Sequence, residues 1–147
     1  MRFRTWLLVA IFIVDRFVKS TMWFTPPQGI VARFLHPVLN QDIAFSISIP
    51  FLQQGALRAL VIVLTLTVFY VAFREFKKKN FQFFWWGLIG IGALSNMLDR
   101  ITLGGVLDYI DVGFWPVFNL SDTAIVTGIV VLIFFEFRSK KIILSRN

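Results

Sequence analysis

The chain has 147 residues, a formal net charge of +7 and a hydrophobic content of 57%, with 18 phenylalanines. That length allows one domain, residues 1–147, and a soluble domain of this size could not bury so much apolar surface within itself. The lack of cysteine excludes a disulfide framework, and the single His36 excludes a multi-histidine metal site.

Four apolar segments are candidates for membrane-spanning helices, each of which needs about 20 mostly apolar residues. They cover residues 59–73, 81–98, about 120–135 and a weaker first segment in which only residues 5–14 are free of charge. Arg2 and Arg4 before that first segment are also typical of a secretory signal peptide. No small-residue cleavage site follows, and apolar residues resume after Lys19, so we expect a retained helix.

The basic residues lie in three clusters at the ends of the apolar segments, near residues 2–4, 74–79 and 138–146. With four spans these clusters all fall on one side, which the positive-inside rule identifies as the cytoplasm. This distribution argues against nucleic acid as a partner. We therefore predict an all-α integral membrane protein with four transmembrane helices and both termini cytoplasmic. In the outer connections, residues 43–49 favour a short strand and residues 30–35 a surface helix.

Several polar side chains interrupt or end the apolar segments, and each has a structural and a functional interpretation. Asp15 and Lys19 are one helical turn apart, so they form either an ion pair that lets both enter the bundle or a support for an outer site. Asp99 and Arg100 either mark the water boundary or belong to that site. Asn96 lies one turn deeper, where it either belongs to a buried hydrogen-bond network or is exposed.

Two further aspartates flank the short outer connection before the last apolar segment. Taken alone, Asp108 is an ordinary turn residue, and Asp122 favours the positive end of a helix that Asn119 caps. Taken together, they form a pair of carboxylates that share one proton, so that one activates a water and the other hydrogen-bonds the carbonyl under attack. This is the chemistry of aspartic peptidases. A Ser–Lys mechanism with Lys19 remains the alternative, although no serine is clearly placed as its partner.

Five short segments resemble motifs of the bacterial lipoprotein signal peptidases, also called the signal peptidase II family. Residues 15–19 match the family's Asp-x-x-x-Lys, residues 40–46 are similar to its Asn-x-Gly-x-Ala-Phe-Ser, and residues 92–100 are similar to its Gly-Ala-x-Gly-Asn-x-x-Asp-Arg. Gly-Val-Leu-Asp at 105–108 and Phe-Asn-Leu-Ser-Asp-Thr at 118–123 resemble its two aspartate motifs. The motifs occur in the family's order and cover most of the chain.

The resemblance implies that Asp108 and Asp122 are the catalytic pair of an intramembrane aspartic endopeptidase. Such an enzyme removes the signal peptide from diacylglyceryl-modified prolipoproteins at the outer face of the bacterial cytoplasmic (inner) membrane, without a metal or other cofactor. Its expected partners are the lipid-modified prolipoprotein, membrane lipids and globomycin-type inhibitors. Substrate-binding or supporting roles are implied for Asp15, Lys19, Asn40, Asn96, Asp99, Arg100 and Asn119.

Four positions depart from the family pattern. Ser95 replaces a usual Gly, Ser121 a usual Ala and Thr123 a usual Ser, so small residues replace small ones. Asp42 replaces a usual Gly and brings a carboxylate into a loop that glycine's conformational freedom normally serves. We expect any change in loop conformation or in pH optimum to come from Asp42.

A different function class is a small transporter or assembly factor that uses the Asp/Arg/Asn cluster as an ion or proton site. Transport predicts charges near the bilayer midplane that both sides can reach. In this sequence the polar residues lie in the outer half, whereas the inner half is rich in Phe and Trp. That asymmetry favours an enzyme that receives its substrate laterally from the membrane.

Overall fold

Four long helices account for most of the computed structural model, which describes residues 2–41 and 54–144. The helices are α1 (Arg2–Phe24), α2 (Gln54–Lys77), α3 (Phe83–Thr102) and α4 (Leu120–Leu144), and each predicted span lies in or largely overlaps one of them. Strands β1 (Leu35–Asn40) and β2 (Val106–Ile110) and a 3-10 helix (Gly29–Arg33) lie in the connections. The mostly helical architecture predicted from the sequence is confirmed.

Two of the helices contain stretches that are long and apolar enough to cross a membrane. These stretches, Ala59–Lys77 in α2 and Leu120–Arg138 in α4, both have a mean hydropathy of 1.9. Only 11% and 17% of their residues are buried inside the protein. Their apolar side chains therefore face outward, which suits a lipid environment and would be costly in water.

Helix α3 is the central helix, because it packs against α1, α2 and α4. Small residues allow this close approach. A Cβ atom added at Gly92 would lie 2.5 Å from the backbone oxygen of Ser121 in α4, and one added at Gly128 would lie 2.8 Å from the backbone oxygen of Trp85. Backbones this close need glycine at the contact, as in other small-residue helix interfaces of membrane proteins.

The ends of the helices direct the chain into a small sheet above the bundle. Helix α1 stops before Pro26 and Pro27, which cannot continue it. Helix α3 ends where Leu103 donates its backbone N–H to the Asp99 carbonyl and Gly104 adopts a φ of 82°. The chain then turns directly into β2.

Strand β2 pairs with β1 in an antiparallel two-stranded sheet, in which Val38 lies opposite Asp108 and Asn40 opposite Val106. The register is irregular between Leu35 and Val38, where Pro37 interrupts the ladder. The predicted surface helix at 30–35 is present as the 3-10 helix Gly29–Arg33, but Leu35 already belongs to β1. The strand predicted at 43–49, and Asp42, lie outside the described residues.

The contact between Gly92 and α4 gives a test of the packing. We expect Gly92→Ala to destabilise the protein by about 2 kcal/mol, because the added methyl group meets backbone rather than a flexible side chain. Gly55→Ala in α2 is the matched control, since its Cβ would meet nothing within 4 Å. Thermal unfolding in detergent measures both variants. An unfolding midpoint for Gly92→Ala equal to that of Gly55→Ala would contradict the close α3–α4 packing.

Candidate active site

Asp108 lies in the middle of β2, where it is only 3% exposed. The interpretation of this residue as an ordinary turn aspartate is therefore wrong, because the chain is extended at this position and pairs with β1. Its two carboxylate oxygens each accept a hydrogen bond from an amide group. Asn40 Nδ2 donates to Oδ2 at 3.0 Å, and Asn119 Nδ2 donates to Oδ1 at 2.7 Å.

Asp122 lies in the first turn of α4, where it forms a reciprocal cap with Asn119. The Asp122 backbone N–H donates to Asn119 Oδ1 at 2.8 Å, and the Asn119 backbone N–H donates to Asp122 Oδ2 at 3.1 Å. This arrangement satisfies helix donors that have no partner within the helix. The other carboxylate oxygen, Oδ1, accepts a bond of 2.8 Å from Asn96 Nδ2. The capping interpretation of Asn119 and Asp122 is therefore correct, and it leaves Asp122 beside the other polar groups.

Asn119 connects the two aspartates, because it is bonded to both. Its side-chain Nδ2 donates to Asp108, and its backbone N–H donates to Asp122. The residue is 0% exposed, and its Nδ2 also lies 3.2 Å from Asn96 Oδ1. Asn96 in turn donates to Asp122, which places it in the buried network considered from the sequence. Two asparagines therefore fix the positions of two carboxylates that would otherwise repel each other.

Burial raises the pKa of Asp108 to about 6, and the negative charge of Asp122 adds to this effect. The hydrogen bonds from Asn40 and Asn119 and the charge of Lys19 act in the opposite direction. A carboxyl group with this pKa can hold a proton in mildly acidic solution. The arrangement is the one expected when two neighbouring carboxylates share a proton, since a nearby like charge disfavours ionisation of the second group.

Lys19 has its shortest contacts with residues of α3 and a longer one with Asp15. Its Nζ lies 2.7 Å from Asp99 Oδ2 and 2.8 Å from Asn96 Oδ1, compared with 3.6 Å from Asp15 Oδ2. Asp99 is 0% exposed, so the interpretation of this residue as a water-boundary charge is wrong. It also accepts the backbone N–H of Leu107 at 3.2 Å, which ties α3 to β2 beside Asp108.

Arg16 is a member of this cluster that the sequence analysis missed. Its guanidinium group forms an ion pair with Asp99 Oδ1 and donates to Ser95 Oγ at 3.2 Å. Two carboxylates, Asp15 and Asp99, are thus balanced by two cations, Arg16 and Lys19. The sequence held a signal for this contact, because one aspartate within α1 cannot neutralise two cations in an apolar helix.

Asp15 accepts hydrogen bonds from both of the serines that replace smaller residues of the family pattern. Ser95 Oγ donates to Asp15 Oδ2 at 2.5 Å and Ser121 Oγ donates to the same oxygen at 2.7 Å. The Ser121 backbone N–H donates to Oδ1 at 3.1 Å. Asp15 therefore holds α1 against both α3 and α4.

A cavity of about 490 Å³ opens beside the two aspartates. Its polar end contains both carboxylates together with Asn40, Asn96 and Arg100. The rest is lined by apolar side chains of α2, α3 and α4, among them Leu64, Ile89 and Ile125. Such a cavity suits a ligand with an extended polar segment attached to a large apolar group.

The raised pKa of Asp108 predicts how stability depends on pH. Because the folded pKa of about 6 exceeds the ordinary value of 3.8, the folded state binds more protons than the unfolded state between these values. Stability therefore falls as the pH rises from about 4 to about 6, by on the order of 3 kcal/mol for this group.

We expect the thermal midpoint of the detergent-solubilised protein to decline over this range. In Asp108→Asn the part of this decline that comes from Asp108 should be absent. A change in the midpoint that is the same at every pH does not affect this comparison of slopes. Equal slopes for the original protein and the variant would show that Asp108 does not titrate in this way.

The chain matches a known protein family over most of its length. The family model for signal peptidase (SPase) II matches residues 7–138. The lipoprotein signal peptidase of Pelotomaculum thermopropionicum is 33% identical over 133 residues, covering 86% of each chain, and that of Thermodesulfovibrio yellowstonii is 34% identical over 133 residues, covering 84% of this chain and 87% of its own.

The fold is also similar to that of a bacterial membrane enzyme solved by the in meso method at 2.3 Å resolution. The TM-score is 0.77 at 21% identity, and the match covers 95% of this chain and 90% of that one. The family model covers most of the chain, and the match covers 86% and 87% of the two relatives' own length. The chain therefore belongs to the signal peptidase II family.

Proposed function

We propose that Asp108 and Asp122 are the catalytic pair with which this chain removes signal peptides from diacylglyceryl-modified prolipoproteins. Membership of the signal peptidase II family gives the reaction, because its curated relatives are lipoprotein signal peptidases. The observation that carries the residue assignment is that Asn119 hydrogen-bonds to both carboxylates at the polar end of one cavity.

The two carboxylates act as one acid–base unit. Asp108 and Asp122 together hold one proton, so one of them is a base towards a water molecule while the other hydrogen-bonds the carbonyl oxygen under attack. When the tetrahedral intermediate collapses, the proton passes to the departing amine. The raised pKa of Asp108, about 6, supports a shared proton in mildly acidic solution. Asn40, Asn96 and Asn119 keep the carboxylates oriented through their amide groups.

The remaining predicted residues have supporting or substrate-binding roles. Arg100 lines the cavity beside both aspartates, where its cationic group suits a substrate backbone carbonyl or lipid ester. Lys19 positions Asn96 and neutralises Asp99, and Asp15 anchors the start of α4. Lys19, Asp99 and Asp15 therefore act through the residues that hold the two aspartates. Arg100 and Asn40, in contrast, are placed to contact the substrate.

The apolar part of the cavity supports a lipid-modified substrate. It lies between α2, α3 and α4, and the outward faces of α2 and α4 are apolar, so an acyl chain in the bilayer has a continuous apolar route to the aspartates. Globomycin-type inhibitors are expected to occupy the same cavity. Membrane lipids are expected to cover the exposed faces of both helices.

The position of the site supports a four-span topology with the aspartates on the outer side of the cytoplasmic membrane. Asp99 and Asp122 lie at the end of α3 and the start of α4, whereas Arg74 and Lys77 lie at the last turn of α2, next to the start of α3. Basic residues mark the cytoplasmic side. The charged cluster is confined to one end of the helices, and this location argues against the transporter alternative.

Substitution of each aspartate by asparagine tests the assignment. We expect Asp108→Asn and Asp122→Asn each to abolish cleavage of a diacylglyceryl-modified prolipoprotein, since an amide cannot exchange the shared proton. The double variant should be no worse than either single one, because the residues act as a unit. The mass shift of the substrate on a gel measures cleavage by each purified protein.

Asp111→Asn is the matched control, because Asp111 follows β2 and, in the described part of the chain, its side chain accepts a local hydrogen bond from Gly113 N–H. That variant should cleave at nearly the original rate. If either dyad variant retained substantial activity, the aspartic mechanism at these positions would be wrong, and the Ser–Lys alternative with Lys19 would need to be examined.

A further inference from the structure

The chain neighbour of each dyad aspartate bears a buried hydroxyl group. Tyr109 follows Asp108 in β2, and Ser121 precedes Asp122 in α4. Successive side chains of a strand point to opposite faces, so Tyr109 points away from the face that carries Asp108. Within the described part of the chain, neither Tyr109 nor Ser121 lines the cavity. Direct contact with a substrate in that cavity therefore does not explain their burial.

Tyr109 instead contacts the first turn of α4. Ser121 lies in that turn and contacts Asp15 of α1. The Tyr109 hydroxyl accepts the backbone N–H of Leu120 at 3.2 Å. The Ser121 backbone N–H and hydroxyl donate to the two oxygens of Asp15, at 3.1 Å and 2.7 Å. The first backbone donors of a helix have no partner within it, and here three successive donors are bound by groups from β2, from α1 and from the Asn119 side chain.

Both neighbours therefore bind the start of α4. Ser121 donates to Asp15 of α1, and Tyr109 of β2 accepts the adjacent Leu120 N–H. Burial, followed by the negative charge of Asp15, raises the pKa of Tyr109, so the phenol stays protonated in neutral solution. The residue beside Asp108 and the residue beside Asp122 thus hold the same turn of α4.

We propose that Tyr109 and Ser121 are positioning residues, which set the separation of the two catalytic carboxylates by holding the start of α4 against β2 and against Asp15. The inference rests on the assignment of Asp108 and Asp122 as the dyad. A shared proton requires the carboxylates to stay within hydrogen-bonding reach, so a small displacement slows the chemical step. Substrate binding in the cavity is unchanged, because neither hydroxyl lies there.

The test uses the purified full-length protein in detergent, with a diacylglyceryl-modified prolipoprotein as substrate. Tyr109→Phe removes only the hydroxyl and keeps the ring in place, and Ser121→Ala leaves a residue that is usual in the family. We expect each to lower kcat about 10-fold with KM unchanged, since misplacement of reacting groups mainly affects the chemical step. The double variant should lose much less than the product of the two single losses, because both residues hold the same turn of α4.

Thr123→Ala is the matched control. Its hydroxyl lies in the same turn of α4 but, among the described residues, donates to the Asn119 carbonyl and not to Asp15 or Tyr109, so kcat should stay at the original value. Thermal midpoints are measured for all variants, and rates are expressed per folded protein. Original kcat values in Tyr109→Phe and Ser121→Ala, a rise in KM alone, or a loss of stability alone would each overturn the inference.

Asp108→Asn and Asp122→Asn are assayed in parallel. If they are inactive while Tyr109→Phe and Ser121→Ala have the original kcat, the positioning role fails and the dyad assignment stands. If the dyad variants themselves are active, both proposals fail.

Discussion

The hydrogen bonds of Asn119 to both aspartates are the interaction on which the rest of the site depends. Two carboxylates in a poorly hydrated site repel each other, and each oxygen left without a donor carries a desolvation cost of about 1–3 kcal/mol. Asn119 reduces both costs, because its side chain donates to Asp108 while its backbone donates to Asp122. Its own side-chain oxygen caps α4. The residue that starts α4 is therefore also the residue that positions the two aspartates.

Four charged residues, whose charges sum to zero, support this arrangement. Asp15, Arg16, Lys19 and Asp99 are brought together by α1 and α3. Removing one partner would leave an uncompensated charge among apolar helices, at a cost of about 3–5 kcal/mol. The cluster also bonds to the Leu107 backbone and to Asn96, and so it reaches both sides of the dyad. The charged residues that make α1 less apolar thereby contribute to the proposed active site.

The sequence predicted the helices, and it named the polar residues that the structure brings together around Asp108 and Asp122, because apolar length and the five motifs are local signals. It did not predict β1, since Pro37 interrupts the alternation that identifies a strand. It also missed Arg16, and it left Asp99 open between a boundary charge and a supporting residue, because a residue at a helix end cannot be told from an exposed one until the neighbouring helix is known. The direct bonds from Ser95 and Ser121 to Asp15 required three helices to be placed together. Long-range pairing of polar groups is the information that a single sequence lacks.

The most direct test of the central claim is the cleavage rate of Asn119→Ser relative to Asn119→Ala. Serine is a good helix cap, so Asn119→Ser keeps the acceptor for the Asp122 backbone N–H, but its short side chain cannot reach Asp108. We predict that Asn119→Ser retains more thermal stability than Asn119→Ala, yet loses about 100-fold in the rate of prolipoprotein cleavage, as expected for a misplaced catalytic group. A rate for Asn119→Ser within a few-fold of the original would contradict the claim that Asn119 holds the two carboxylates in their active arrangement.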